Sequence, residues 1–169
     1  MMLNKLKGII IAAVVIASLS VTTGAQQDMT FVTPDGQTVT LSGLRGKVVV
    51  LLFGGLQDPQ CRDEFRALES LAERYQGKDV RIYWVSVNPP NEVADAKLKN
   101  PCGPANSVVV LRDQDQSAFK RYGGKRAQLP TIVVLNQQGE AHGMPRGGFN
   151  PNSDFINDLG AMIDSLLNK

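Results

Sequence analysis

The sequence contains two cysteines, Cys61 and Cys102, and their chemistry is the most informative in the chain. A cysteine thiolate can attack a disulfide sulfur, and two cysteines can form one disulfide bond. With a single histidine in the chain, these residues give no credible ligand set for a metal, and no cofactor is expected. The sequence therefore predicts either redox chemistry at sulfur or cysteines with a purely structural role.

Cys61 lies near the start of a predicted helix. Asp58 can cap this helix, with Pro59 at the first helical position, where a missing N–H costs nothing. Apolar side chains then recur at helical spacing, at Cys61, Phe65, Leu68, Ala72 and Tyr75. Because Cys61 is in phase with this stripe, a buried structural cysteine is one interpretation. A redox-active or disulfide-bonded cysteine is the other.

The charges near Cys61 act in opposite directions on its thiolate. A helix N-terminus stabilises an anion by ~0.3–1 kcal/mol, and by up to ~2 kcal/mol in sheltered sites. The carboxylate of Asp58, ~5 Å away at an effective dielectric of ~20, opposes the thiolate by ~3 kcal/mol, so the two effects are comparable. We therefore expect Asp58 to make Cys61 less reactive than a cysteine at an uncharged helix start.

Strands and helices alternate along the rest of the chain. After a loose entry segment at 26–37, strands are predicted at 38–41, 48–53, 80–87, 107–111, 131–135 and 140–144. Helices are predicted from Asp58 to Tyr75 and at 91–99, 114–122 and 155–166. This order predicts an α/β domain with a central mixed sheet flanked by helices on both faces.

Residues 1–25 differ in character from the rest of the chain. Lys5 and Lys7 precede an apolar run over residues 8–19, and small residues follow up to Ala25. This layout predicts a signal peptide over 1–25, export to the periplasm or the medium, and one domain over 26–169. An uncleaved N-terminal membrane anchor is the alternative. In either case the exported part meets an oxidising compartment, where a disulfide can persist.

The charge balance gives little support for a nucleic-acid partner. Two of the 18 basic residues lie within residues 1–25, so the remainder has 16 basic residues against 16 acidic ones. No basic patch is interleaved with aromatic side chains. The protein is therefore expected to bind no nucleic acid, and to contact a membrane only if the leader is retained.

Several segments resemble the redoxin branch of the thioredoxin superfamily, which includes exported thiol–disulfide oxidoreductases and peroxiredoxins. The similarity extends over roughly residues 29–168. The segments that carry it are residues 31–44 (FVTPDGQTVTLSGL), 45–53 (RGKVVVLLF), 61–64 (CRDE), 128–131 (QLPT) and 136–140 (NQQGE). The resemblance implies a thioredoxin-like fold. It also implies that Pro130 is the cis-proline facing the active site, with Leu129 beside it in the substrate groove.

The resemblance also implies a change at the site itself. Oxidoreductases of this branch carry a Cys-x-x-Cys pair after the strand, and here Asp58 stands in the place of its attacking cysteine while Cys61 keeps the second place. A carboxylate cannot carry out thiol–disulfide exchange. Leu52 occupies a strand position where such enzymes often have a polar or acidic proton carrier.

Peroxiredoxins give a second match. Their Pro-x-x-x-Thr-x-x-Cys motif aligns with Cys61, although Gly54 and Asp58 replace its proline and threonine. In some peroxiredoxins a resolving cysteine on a later helix reaches the site, and Cys102 resembles such a partner. A bridge to Cys61 requires Cα atoms within ~7 Å.

Three hypotheses on function follow. The first is a redox protein that acts through Cys61, with Cys102 as a possible resolving partner, on a protein thiol or disulfide or on a small peroxide. The second is a non-catalytic thioredoxin-fold binding module, because the attacking cysteine is lost at Asp58. The third is a structural domain whose cysteines only stabilise the fold.

Overall fold

The computed structural model describes residues 28–103, 108–123, 128–147 and 153–168. Residues 1–25, the predicted signal peptide, lie outside these ranges. The strands are β1 (Thr30–Val32), β2 (Thr38–Thr40), β3 (Val48–Gly54), β4 (Val80–Ser86), β5 (Val109–Arg112), β6 (Thr131–Leu135) and β7 (Arg146–Gly147). The helices are α1 (Cys61–Arg74), α2 (Asp95–Leu98), α3 (Ser117–Gly123) and α4 (Ser153–Leu167), and a short 3-10 turn covers Ser42–Leu44.

The strands form one mixed sheet in the order β2-β1-β5-β4-β3-β6-β7. The central strand β3 pairs in parallel with β4 and antiparallel with β6, so that Val50 lies opposite both Ile82 and Val134. Strand β5 extends the parallel part beside β4, and the outer pairings are antiparallel. The prediction of a central mixed sheet is confirmed.

Strand β3 is the centre of the core because both of its faces are covered. All seven of its residues are buried. Its alternate side chains, such as Val50 and Leu52, face α1 and α4, whereas Leu51 and Phe53 face α3. Full burial of side chains of this size contributes ~1.5–3 kcal/mol each. Helices therefore cover both faces of the sheet, as predicted.

Helix α1 packs its apolar stripe against the sheet and its C-terminal end against α4. The hydroxyl of Tyr75, next to the helix end, lies 2.8 Å from both the backbone carbonyl of Gly160 and the carboxylate of Asp164, which share its one proton. Arg74 pairs with the same carboxylate at 2.8 Å. These contacts fix the direction of α1, and therefore the position of Cys61 at its other end. No helix in the described ranges has the length and apolar character needed to span a membrane.

Two segments near the ends of the sheet differ from the prediction. The entry segment 26–37 contains strand β1, whose three residues pair with β2 and, through Val32, with Arg112 of β5. A strand of three residues is too short to show an alternating apolar pattern in the sequence, and its pairing with neighbouring strands stabilises it. The strand expected at 140–144 is a single bridge between Leu135 and Ala141, and the ladder resumes only at β7.

The helix predicted at 91–99 is only one turn long, Asp95–Leu98. In its first part the backbone of Ala94 is extended, and the carbonyl of Val93 accepts a hydrogen bond from the guanidinium of Arg112. A side chain 19 residues away from Val93 thus takes the place of helical backbone donors. This irregular segment leads to Cys102.

Candidate redox site

A disulfide bond joins Cys61 to Cys102. Cys61 is the first residue of α1, and Cys102 lies beyond α2 in the segment before β5. Their Cα atoms are 5.6 Å apart, within the usual range for a disulfide, and the two residues are 41 positions apart in the chain. The sequence left open whether Cys61 is a free buried cysteine or a redox-active or disulfide-bonded one, and in the structure it is disulfide-bonded. Catalytic roles for the two cysteines remain a prediction.

The predicted cap of α1 is wrong in its position. The helix begins at Cys61 with Gln60 as the capping residue, so Asp58 and Pro59 both precede it. The carboxylate of Asp58 accepts from the backbone N–H of Gln60 at 2.9 Å, and its own N–H donates to the carbonyl of Gly55 at 3.0 Å. A carboxylate that binds the N–H two residues later forms a local turn instead of capping the first helical turn.

This turn holds Asp58 close to the disulfide. The backbone N–H of Cys61 donates to the carbonyl of Asp58 at 3.2 Å. The side chain of Asp58 therefore belongs to the loop that presents Cys61. The aspartate contributes charge and loop geometry where a Cys-x-x-Cys protein has its first sulfur.

Glu64 is a buried acid that the sequence analysis did not single out. Its side chain has no exposed surface. The indole N–H of Trp84 donates to Oε2 at 3.0 Å, and Oε1 has no hydrogen-bond partner among the described residues. Burial raises the pKa of Glu64 from 4.5 to about 7; the bond from Trp84 lowers it, and the charge of Asp58 raises it further.

A signal for Glu64 was present in the sequence. It lies three residues after Cys61, so both side chains are on one face of α1. That face continues through Phe65 and Leu68 into the core. An acidic residue within an apolar helical stripe is unusual unless it is paired. The buried carboxyl group near the start of this domain's first long helix is therefore Glu64, while the strand position Leu52 is apolar.

The partner of Glu64 is itself rigidly packed. Trp84 of β4 is fully buried, and its ring centroid lies 5.3 Å from that of Phe65. Gly54, at the end of β3, leaves room for the indole, because a Cβ at this position would lie only 2.9 Å from Trp84 Nε1. Because Gly54 leaves room for the indole, the N–H of Trp84 can reach the carboxyl group of Glu64.

The segment that carries Cys102 is attached to the sheet through Arg112. This side chain is only 2% exposed. Its guanidinium donates to the carbonyls of Asn88 at 2.6 Å and Val93 at 2.7 Å, and to the carboxylate of Asp95 at 2.7 Å. Three contacts from one planar group fix the backbone path between β4 and α2.

Asn88 connects this segment to the loop that leads to α1. Its side-chain oxygen accepts from the backbone N–H of Leu56 at 3.1 Å, while its own carbonyl accepts from Arg112. The two cysteine-bearing segments therefore share one polar connection. Arg112 and Asn88 hold the segments in register independently of the disulfide.

Leu129 and Pro130 lie on the same edge of the sheet. The peptide bond between them is cis. The next residue, Thr131, pairs with Phe53 at the end of β3, from which the loop to α1 departs. Leu129 is 39% exposed, and its Cδ1 lies 3.8 Å from the point where Gly55 would carry a Cβ. The structure thus places this segment next to the loop before Asp58.

The described residues contain no group of three or more histidine, cysteine, aspartate or glutamate side chains that could hold a metal ion. The chemistry available at the site is that of one disulfide, one buried carboxyl group and one partly exposed carboxylate.

The mixed sheet, its covering helices, the disulfide at a helix start and the cis-proline at the same end of the sheet together define a thioredoxin-like fold. The crystal structure of the pneumococcal exposed lipoprotein thioredoxin Etrx1 from Streptococcus pneumoniae is similar to it. The TM-score is 0.68 at 20% sequence identity, over 83% of this chain and 100% of that one. This comparison supports the fold alone.

Sequence comparison gives the family. Residues 23–142 match the AhpC/TSA family. The thiol-disulfide oxidoreductase ResA of Halalkalibacterium halodurans is 30% identical over 134 residues, which are 78% of this chain and 73% of the relative. ResA of Bacillus subtilis is 29% identical over 106 residues, 63% of this chain and 56% of the relative. The protein belongs to the AhpC/TSA family, in the redoxin branch of the thioredoxin superfamily, as the motifs predicted.

Proposed function

We propose that this protein is an exported thiol–disulfide oxidoreductase whose redox-active group is the Cys61–Cys102 disulfide. The observation that carries the proposal is the position of this bond. It lies at the N-terminus of α1, on the sheet edge where Leu129 and the cis-proline Pro130 also lie. The names of the ResA relatives, thiol-disulfide oxidoreductases, support the same reaction class.

The reaction differs from that of a Cys-x-x-Cys protein in the origin of its second sulfur. Asp58 cannot exchange with sulfur, so Cys102 supplies the partner that the loop lacks. Protein thiols and disulfides are the proposed substrates. Leu129 offers an apolar contact beside the site for an extended segment of such a substrate.

The test compares the wild type with Cys61→Ser and Cys102→Ser in two assays, reduction of insulin and exchange with glutathione. We expect activity in the wild type and its loss in both variants, because each lacks one half of the disulfide. Wild-type protein with no activity in either assay, and with a disulfide inert to glutathione, would contradict the proposal. In Asp58→Cys, dithiol activity within the loop would show that the rest of the site is intact.

Peroxide reduction is the second candidate function, and membership of the AhpC/TSA family favours it. It would use reduced Cys61 as the attacking sulfur and Cys102 to resolve the oxidised product. Consumption of hydrogen peroxide by the reduced wild type, lost in Cys61→Ser, is the expected result. If the reduced protein consumes no peroxide but still exchanges with glutathione, peroxide reduction is excluded and thiol–disulfide exchange remains as the function.

The non-catalytic binding module is the remaining alternative. It is supported by Asp58 in place of the attacking cysteine and by the exposed Leu129 beside Pro130. This alternative is distinguished from the redox proposal by the double variant Cys61→Ser/Cys102→Ser. A binding module without its cysteines would still bind its partner and support its function in the cell. An oxidoreductase without its cysteines would lose that function, because it could no longer exchange disulfides.

Export is part of the proposal and rests on the pattern of residues 1–25. The basic start, the apolar run over 8–19 and the small residues up to Ala25 support a cleaved signal peptide, with residues 26–169 as the mature domain. Cell fractionation and N-terminal sequencing provide the test. A mature N-terminus at Gln26 in an extracytoplasmic fraction is expected, and an intact leader retained in the membrane would indicate an anchor instead.

A further inference from the structure

We infer that Cys102 is the sulfur that exchanges with outside thiols and disulfides, and that Cys61 is the internal, resolving sulfur. This inference rests on the proposed oxidoreductase function and gives it a direction. It reverses the order expected from sequence, where Cys61 was the attacking residue and Cys102 its possible resolving partner.

The first argument is access to the two sulfurs. Cys61 is 6% exposed and belongs to the core between α1 and the sheet, whereas Cys102 is partly exposed and packs against the edge of that core. In thiol–disulfide exchange the attacking thiolate approaches one sulfur from the side opposite the other sulfur. An attack on Cys102 therefore comes from the Cys102 side of the bond, at the surface. An attack on Cys61 would have to come through the packed interior.

The second argument is charge. Asp58 belongs to the turn that presents Cys61, and its backbone carbonyl accepts from the Cys61 N–H. An incoming thiolate, which is an anion, is repelled by a carboxylate in the turn that presents Cys61. Cys102 lies 41 positions further along the chain, outside this turn. The access to the two sulfurs and the charge of Asp58 thus both favour attack of an incoming thiolate on Sγ of Cys102.

The exchange step balances without a further reactant. An external thiolate forms a bond to Sγ of Cys102 and the Cys61–Cys102 bond breaks. Sγ of Cys61 leaves with the bonding electron pair as a thiolate at the N-terminus of α1, where the helix dipole stabilises the anion and the carboxylate of Asp58 opposes it. One thiolate enters and one leaves, so no proton is consumed in the step.

The reverse direction uses the same geometry. In the reduced protein the thiolate of Cys102 attacks a substrate disulfide and releases one substrate thiolate. Cys61 then attacks Sγ of Cys102, which re-forms the internal disulfide and releases the second substrate thiolate. Cys61 stays in the core throughout and exchanges only with Cys102, so its buried position suits the resolving role.

The experiment uses the matched variants Cys61→Ser and Cys102→Ser, each with one remaining thiol, and oxidised glutathione as the probe. Mass spectrometry follows formation of the glutathione adduct with time. We expect Cys61→Ser, which keeps Cys102, to form the adduct at least about tenfold faster than Cys102→Ser, because access governs the rate. The difference should vanish in guanidinium, where both thiols are exposed. Equal rates in the native proteins, or a faster Cys102→Ser, would overturn the assignment.

A second measurement on the wild type avoids variants that fail to fold. Oxidised wild-type protein is mixed with reduced glutathione, quenched with acid and analysed by peptide mapping. We expect the transient mixed disulfide on Cys102. A mixed disulfide on Cys61 would overturn the assignment while the exchange function stands. Absence of an adduct and of any disulfide reduction in the wild type would refute the exchange function and the assignment with it.

Discussion

The buried carboxyl group of Glu64 makes the stability of the fold depend on pH. Burial raises its pKa from 4.5 to about 7. Below the lower value the group is protonated in both folded and unfolded chains. As pH rises through that value, the unfolded chain loses the proton while the folded protein keeps it, so stability falls until pH passes the folded pKa near 7.

The size of the effect follows from the two values. Each pKa unit corresponds to about 1.4 kcal/mol, so the interval from 4.5 to about 7 corresponds to a loss of about 3 kcal/mol. The substitution Glu64→Gln isolates this loss, because glutamine has nearly the same shape and does not titrate. Its side-chain oxygen can still accept the hydrogen bond from Trp84.

The assay is equilibrium unfolding in urea of the oxidised proteins between about pH 4 and about pH 8. Relative to Glu64→Gln, the wild type should lose about 3 kcal/mol of unfolding free energy over this range. The exposed Glu73 of the same helix provides a matched control, since Glu73→Gln also removes one carboxylate from α1. A wild-type stability that runs parallel to that of Glu64→Gln across the range would refute the reasoning.

Three further predictions concern the packing around the site. Reduction of the Cys61–Cys102 bond with dithiothreitol should lower the unfolding free energy by about 4 kcal/mol, because the bond spans 41 positions; a melting temperature unaffected by the reductant would contradict this. Gly54→Ala places a methyl group 2.9 Å from Trp84 Nε1 and should cost about 1–3 kcal/mol. The fluorescence of this variant, which comes from the single tryptophan of the chain, should change as well. Unchanged emission and stability would show that β3 shifts to accommodate the methyl group. Arg112→Met should lower stability by about 2–3 kcal/mol in thermal unfolding, since it leaves two backbone carbonyls without donors; wild-type stability would mean that water replaces the guanidinium.

The parts of the fold that could be predicted are those with strong local patterns. The continuous apolar run of β3 and the helical stripe of α1 each predicted an element, and the structure has both. The resemblance at residues 128–131 also placed a cis-proline at Pro130, which the structure has. In these segments the local sequence and the tertiary structure favour the same conformation.

The site could be predicted only in part because its main features depend on contacts between distant residues. The pairing of Cys61 with Cys102 depends on the backbone path between β4 and α2. Arg112 sets that path through carbonyls far from it in sequence. Glu64 was missed because its importance comes from burial against Trp84, 20 positions away, and the residue type alone indicated an exposed helical position.

The disulfide joins covalently two segments that a Cys-x-x-Cys site would leave connected only by non-covalent contacts. A Cys-x-x-Cys bond closes a ring within one helical turn, whereas the present bond closes a ring that contains α1, β4 and α2. Folding and oxidation are then thermodynamically coupled, so each favours the other by the same free energy. The free energy by which the bond stabilises the fold, about 4 kcal/mol, is also the free energy by which folding favours the oxidised state, equivalent to about 90 mV in reduction potential. A partner that detaches the segment between Asn88 and Cys102 would therefore turn a stable disulfide into a stronger oxidant.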